Sequence, residues 1–326
     1  MIDRRRFCCT ALAGGALAAR PAFSEQAYPS RPITVIVSYP PGGDTDAIAR
    51  LFADKLGQRL GQTVLIDNRP GAGGAIGNGL AGRARPDGYT LLFTPNPFTT
   101  APLVMKLSGA ASYDVLGGYE AVIHTAIQPL VLVCSPRLGV RTLPQLVARA
   151  RAGATVSYAS PGAGSPMHIL GEWLNRAAGV KFSHVPYRGV GPSVTDVVAG
   201  HVDTAWVTFG AVRQYLDSGK LLALAVGDAR RSPLAPQVPT LVELGYPDVV
   251  VGAWNGFFAP RKTPAAVIAL LNAHLNAILK EPEVVEKLAT FGALPAGGAP
   301  GVLAELNQRE YAVMGKAIRE LGIAAE

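Results

Sequence analysis

Cysteine is nearly missing from this chain: three residues in 326, two of them, Cys8 and Cys9, within the first ten positions. The remainder holds Cys134 alone, which excludes a disulfide and any Cys-based metal site. Following Leu130-Val131-Leu132-Val133, it reads as a small buried hydrophobe. Histidine is sparse too. The five are dispersed, with no His-x-x-Glu-His and no paired-carboxylate spacing, so no metal centre and no cofactor are expected. Charged residues make up 16% against 49% apolar, which supplies a large core and excludes a disordered chain. Basic residues form no stripe and are not interleaved with aromatics, so no nucleic-acid partner is expected. Beyond the first residues no apolar run reaches the length of a membrane helix.

The N-terminus is present as a separate signal. Asp3-Arg4-Arg5-Arg6-Phe7 precedes an Ala-rich apolar run to Ala19, and Ala22-x-Ser24 offers a small-residue cleavage site. Residues 1–24 are therefore expected to be an export signal removed near Ser24, placing the mature protein in the periplasm. Arg4-Arg5-x-Phe7 fits the twin-arginine pattern, with an ordinary secretory signal as the alternative. These residues carry four Arg and one Asp, so the net charge of +7 for the whole chain becomes +4 for the remainder.

Glycine and proline are abundant, and their placement organises the chain. Ile33 to Val37 is a β-branched run that reads as a strand buried on both faces. It stops at Pro40-Pro41-Gly42-Gly43. Asp44 or Thr45 then caps a helix whose apolar positions Ile48, Leu51, Phe52, Leu56 and Leu60 recur at helical spacing. A strand, a Gly-Gly turn and a helix start present backbone N–H groups at the positive end of a dipole, a site for a carboxylate or phosphate. The pattern recurs at Asn68-Arg69-Pro70-Gly71-Ala72-Gly73-Gly74 after a strand at 63–67, at Pro161-Gly162-Ala163-Gly164-Ser165 after a strand at 156–160, and at Arg188-Gly189-Val190-Gly191 after a strand at 182–187. One such loop is weak, since βα turns use glycine for steric reasons. Four at the same topological place point to a ligand touching main chain on both sides of a cleft.

Strand and helix alternate from residue 33 to 94, which argues for a parallel, doubly wound sheet with its glycine loops at the carboxyl edge of the strands. Residues 95–119 lack periodicity, and the next strand is expected at 128–134. Thr142-x-x-Gln145 is a capping box opening a helix to about residue 152. The middle region repeats the βα logic to residue 226, a strand leads back over 249–258, and the rest is helical. The fold class is thus α/β with two lobes, each a doubly wound βα sheet, with a ligand cleft between them. Residues 25–127 and 250–326 form the first lobe and 128–249 the second. That is the layout of a hinge-closing binding protein.

Several tempting motifs carry less. Gly71-x-Gly73-x-x-x-Gly77 departs from the dinucleotide fingerprint in spacing and lacks a ribose-binding acid. Ser165 and His168 share a helix face, but Met167 stands where a nucleophile elbow needs glycine and no acid follows to orient the histidine. They suit hydrogen bonding to a ligand better than catalysis. Asp46 either braces the neighbouring loop or receives a polar ligand group such as an amine. Asp203 is a turn residue unless its strand ends in the cleft. Arg69 and Arg188 read as solvated loop residues.

In combination and order, Tyr28-Pro29-Ser30-Arg31-Pro32-Ile33, Pro40-Pro41-Gly42-Gly43-Asp44-Thr45-Asp46, Asn68 to Gly74, Pro86-Asp87-Gly88-Tyr89-Thr90-Leu91-Leu92, Gly164-Ser165-Pro166-Met167-His168 and Val185-Pro186-Tyr187-Arg188-Gly189 are highly specific. Over essentially the whole length after residue 25, the chain resembles the Bug family of extracytoplasmic solute receptors of tripartite tricarboxylate transporters. The resemblance implies a two-lobed periplasmic-binding fold of type II, and a monomer. It also implies a small carboxylate held by backbone amides and water, and delivery to the membrane permease. It further implies that Pro41, Gly42, Gly43, Gly73, Gly74, Ser165, His168, Tyr187 and Gly189 line the cleft, with Asp46 and Asp203 as further ligand-binding candidates. Two positions depart: Pro41 stands where the family usually has Ala, removing one N–H donor, and Arg188 replaces the usual Lys. With Pro41, the first cradle relies on Gly42, Gly43 and the residues just after them. An orphan receptor acting in signalling and a periplasmic Ser/His hydrolase are the alternatives.

Overall fold

In the computed structural model, which describes residues 28–323, the first strand β1 (Ile33–Val37) lies between two parallel neighbours, β2 (Val64–Asn68) and β3 (Thr90–Pro95). Its β-branched side chains explain that central place, with Ile33, Val35 and Val37 fully buried. Helix α1 (Asp44–Leu60) joins β1 to β2 and buries Ile48, Leu51, Phe52 and Leu56; α2 (Ala75–Gly82) joins β2 to β3. The cap is not Asp44 or Thr45, the residues expected: Gly43 occupies the N-cap of α1, without a side-chain cap. The export signal expected over residues 1–24 lies outside the described residues.

After β3 comes α3 (Pro97–Val104), then a strand absent from the sequence reading, β4 (Tyr119–Gln128). The strand expected at 128–134 is β5 (Leu130–Cys134), separated from β4 by Pro129. Proline offers no N–H to a ladder, and the Pro129 carbonyl accepts from Phe209 N. The chain changes sheets at that point. The middle region supplies α4 (Leu143–Arg151), β6 (Ser157–Ser160), α5 (Pro166–Ala178), β7 (Ser183–Pro186), α6 (Val190–Ala199), β8 (Thr204–Thr208), α7 (Phe209–Asp217) and β9 (Leu222–Val226). Strand β10 (Ala253–Pro260) returns to the first sheet, followed by α8 (Ala265–Ile278), α9 (Pro282–Thr290), the short β11 (Leu294–Pro295) and α10 (Pro300–Leu321). Thr142 caps α4 by accepting from Gln145 N, while Gln145 Oε1 reaches back to Arg141 N.

The first sheet runs β11-β4-β10-β3-β1-β2 and the second β7-β6-β8-β5-β9. Both are mixed, which corrects the expectation of a parallel sheet. Only β2-β1-β3 and β7-β6-β8 are parallel sets; β10 runs antiparallel to β3 and β4, and β5 to β8 and β9. The returning and crossing strands must run against the βα units to carry the chain between sheets. Phe93, Phe257 and Phe52 pack through ring contacts in the first lobe, while Tyr158, Trp206 and Leu170 fill the second. Helix α10 straddles both. Leu303 packs with Phe98, Trp254 and Phe258, whereas Met314, Ala317 and Ile318 pack into the core of the second lobe.

A buried acid on α10 ties this region together. Glu310 accepts from Asn96 Nδ2 at 2.8 Å and from Trp254 Nε1. Burial pushes its carboxyl up to about 7 against the lowering effect of those two donors. The folded protein thus holds this proton to higher pH than the unfolded chain, so the contribution to stability falls as pH rises from about 4.5 to 7. In Glu310→Gln the amide turns NH2 toward one of two donors at every pH. We expect the stability gap between the two proteins to be larger at pH 5 than at pH 8, read by denaturant titration; a gap widening with pH would contradict the assignment.

Candidate functional site

The first loop is built around Asp46. Gly42 adopts φ of 85°, and its N–H donates to Asp46 Oδ2 at 2.9 Å. Arg50 Nε donates to the same oxygen at 2.9 Å, and Asn68 Nδ2 donates to Oδ1 at 2.9 Å and to the Tyr39 carbonyl at 3.0 Å. Burial works to raise the Asp46 carboxyl, but Arg50, the Gly42 N–H and Asn68 together hold it below the usual carboxylate range. The residue is 3% exposed. Asp46 ties α1 to the end of β2, and both its oxygens receive hydrogen bonds from within the protein. The Gly42 N–H, assigned from sequence to a ligand, is engaged with them. Gly43 differs, because a Cβ there would meet only the Pro40 carbonyl, at 3.9 Å.

The second loop leans on the first. Gly73 and Gly74 both have positive φ, Tyr39 Oη donates to the Gly73 carbonyl at 3.1 Å, and Gly74 N donates to Gly71 O. A Cβ on Gly74 would sit 3.1 Å from the Tyr39 ring and 3.2 Å from Ser38 Oγ. Close approach between loops therefore requires glycine here. Gly74 is the N-cap of α2, again without a side-chain cap.

In the second lobe, Ser165 caps α5 by accepting from His168 N at 3.2 Å, and His168 Nδ1 accepts from Gly164 N at 2.9 Å. With Nδ1 turned to its own loop, His168 serves the loop's shape. Its ring stacks on His184, centroids 3.9 Å apart and 11° between planes, and His184 Nε2 lies 2.7 Å from Ser160 Oγ. Burial and the adjacent His168 push His184 down to about 4, so it is neutral at neutral pH. Tyr187 N and Gly189 N donate to the carbonyls of Ser160 and Pro161, and the Tyr187 hydroxyl donates to Asp196 Oδ2 at 2.6 Å. Burial and Asp196 push that phenol up to about 12. Gly189, at φ of 111°, is the N-cap of α6, without a side-chain cap.

The loops follow β1 and β2 in one sheet and β6 and β7 in the other, and each pair of strands is parallel. Each pair of loops thus shares one carboxyl edge. The two edges meet where Thr208, the last residue of β8 and the uncapped N-cap of α7, places Oγ1 3.4 Å from Asp44 Oδ2. Val104 of α3 also closes on Gly164, where a Cβ would lie 2.2 Å from Val104 Cγ2.

Asp203 is not part of this arrangement. It precedes β8, and its Oδ2 accepts from both N and Oγ of Ser157, the first residue of β6, each at 2.8 Å. That is the amino edge of both strands, opposite the loops, so Asp203 is a turn residue. Asp44, Thr208 and His184 were missed as site residues. The adjacency of Asp44 to Gly42-Gly43 was the available signal for one of them; the other two required the register of β8 and β7. A shallow groove lined by Glu172, Asn175, Arg176, Lys181 and Glu320 shares no residue with the loops. Among the described residues no cluster of three His, Cys, Asp or Glu side chains could hold a metal, and no helix is long and apolar enough to cross a membrane.

Two α/β lobes joined by crossing strands, with uncapped helix starts on the facing carboxyl edges, define a solute-binding protein of the two-lobed periplasmic class. The chain belongs to the tripartite tricarboxylate transporter family receptors, whose pattern it matches over residues 48–323. It is 40% identical to the protein BugT of Bordetella pertussis over 306 residues, 92% of each chain. Among solved structures it is similar to the periplasmic binding protein BugD, with 30% identity and a TM-score of 0.80 over 92% of this chain and all of that one. A protein of R. palustris solved with adipate shares 32% identity and a TM-score of 0.83, over the same shares of the two chains. The family and these neighbours are binding proteins rather than enzymes, and this chain is a solute-binding receptor of that family.

Proposed function

We propose that the chain captures a small organic carboxylate between its lobes in the periplasm and hands it to the membrane permease of a tripartite tricarboxylate transporter. The observation that carries this reading is the Asp44–Thr208 meeting point, around which the uncapped starts of α1 and α7 gather. Backbone N–H groups at helix starts receive a carboxylate without a basic side chain. Gly43, Gly73 and Gly74 would form one wall, and Ser165, His168, Tyr187 and Gly189 the other; the last four act through the loop shape they hold. The adipate complex of a relative supports the ligand class, and the similarity to BugD, a periplasmic binding protein, supports the location. In this reading residues 25–127 and 250–326 form one lobe and 128–249 the other, the protein acts as a monomer, and residues 1–24 direct export.

The test is a melting-temperature panel of mono-, di- and tricarboxylates. One acid at about 100 times its dissociation constant should add about 2.7 kcal/mol of stability, with no turnover of acid or ester. Gly43→Val adds a side chain whose Cβ would meet only the Pro40 carbonyl oxygen, at 3.9 Å. Its ligand-free melting temperature should match the parent while the ligand-induced shift disappears. Retained affinity would remove the first loop from the site, and ester turnover abolished by Ser165→Ala would overturn the receptor reading.

A further inference from the structure

Asp44 is a half-buried carboxylate at the meeting point of the two lobes, and Thr208 Oγ1 at 3.4 Å is its single hydrogen-bond partner among the described residues. Among the described residues it forms no ion pair. Other carboxylates beside the loops are compensated: Asp46 by Arg50, Asn68 and the Gly42 N–H, and Asp196 by the Tyr187 hydroxyl and His201. A partly buried carboxylate without a countercharge is costly unless something supplies one. Thr208 itself leaves the start of α7 uncapped while its hydroxyl points to Asp44. Burial also pushes the Asp44 carboxyl above its usual range, Thr208 opposing. That is the direction burial without a nearby cation gives.

We propose that Asp44 sets ligand choice: the captured acid carries an ammonium group beside its carboxylate, and that ammonium binds Asp44. This rests on the reading of the cleft as a carboxylate site and adds the substrate class to it. The first-turn N–H groups of α1 attract the carboxylate, while the Asp44 side chain on the same turn repels a second anion. An ammonium a few bonds from the carboxylate satisfies both groups at once. A hydroxyl would supply a hydrogen bond but leave the carboxylate charge unbalanced.

The experiment is calorimetric titration of unsubstituted diacids of three to six carbons and of their 2-amino counterparts. The parent protein should bind one amino acid of the set at least about tenfold more tightly than the matched diacid. Asp44→Asn should bring that ratio close to one, chiefly by weakening the amino form, with an unchanged ligand-free melting temperature; Asp44→Ser serves if the asparagine variant does not fold. Thr208→Val should keep the preference. A ratio unchanged in Asp44→Asn, or a parent protein that binds the diacid as well as its amino counterpart, would overturn the role of Asp44 while leaving the carboxylate reading intact. Binding of no acid in this set, with a shift from another acid of the melting-temperature panel, would overturn the role of Asp44 alone; a shift from no acid of that panel would overturn both.

Discussion

Asp46→Ala is expected to lose about 3 kcal/mol of stability and to abolish ligand binding by releasing the first loop. Its two oxygens receive the Gly42 N–H, Arg50 Nε and Asn68 Nδ2, each at 2.9 Å. Hydrogen bonds to a charged group contribute about 1.5–3 kcal/mol each, less for the pair with the exposed Arg50. Alanine would also leave the Gly42 N–H and one Asn68 N–H without their acceptor. The first loop would lose the contact that fixes Gly42 at φ of 85° and sets the start of α1. Because the carboxyl is held below the usual range in the folded state, its contribution is fully present above about pH 4 and is lost as pH falls through the folded value. The difference in unfolding free energy between parent and variant should therefore shrink toward pH 3. A variant that binds its acid normally would show that the loop holds its shape without Asp46.

Gly210→Ala is expected to lower ligand affinity by about tenfold or more. Gly210 of α7 lies against the turn after α9, so a Cβ there would sit 2.2 Å from the Phe291 carbonyl oxygen and 3.3 Å from Gly292 Cα. The opposing Gly292 has φ of 69°, and its own Cβ would meet Gly210 Cα at 2.3 Å. Both obstructions are backbone, which cannot swing aside as a side-chain end could. This seam joins the second lobe to the first, with Arg213 Nη1 donating to the Ala289 carbonyl at 3.1 Å beside it. Overpacking of this kind costs about 1–3 kcal/mol. Part of that cost is relieved when the lobes move apart, so affinity should fall more than ligand-free stability. Calorimetry with the acid from the panel, small-angle scattering and thermal melting measure the three quantities. Unchanged affinity together with unchanged scattering radius would show that the seam plays no part in closure.

Most of the element order was legible because the signals are local. The β-branched run of β1, the prolines that open α5 and α10, and the capping box of α4 each act within a few residues. The four glycine loops were legible for the same reason. Strand β4 was missed because its polar His124 and Thr125 are buried by strand partners distant in sequence, β10 above all. The same distance hid the mixed sense of the sheets.

The site divides along the same line. By itself the sequence determined the loops, since spacing of glycine, proline and apolar residues sets backbone shape locally, and the family through the resemblance its motifs carry. Only the tertiary structure decided which groups those loops leave for a ligand. It turned Asp46 inward onto Gly42, Arg50 and Asn68, placed Asp203 on the wrong edge of its strand, and brought Asp44 against Thr208, 164 residues away. The physical reason is that an N–H or a carboxylate is available only if no neighbour has taken it. Those neighbours come from strand register and lobe packing, which no local spacing specifies.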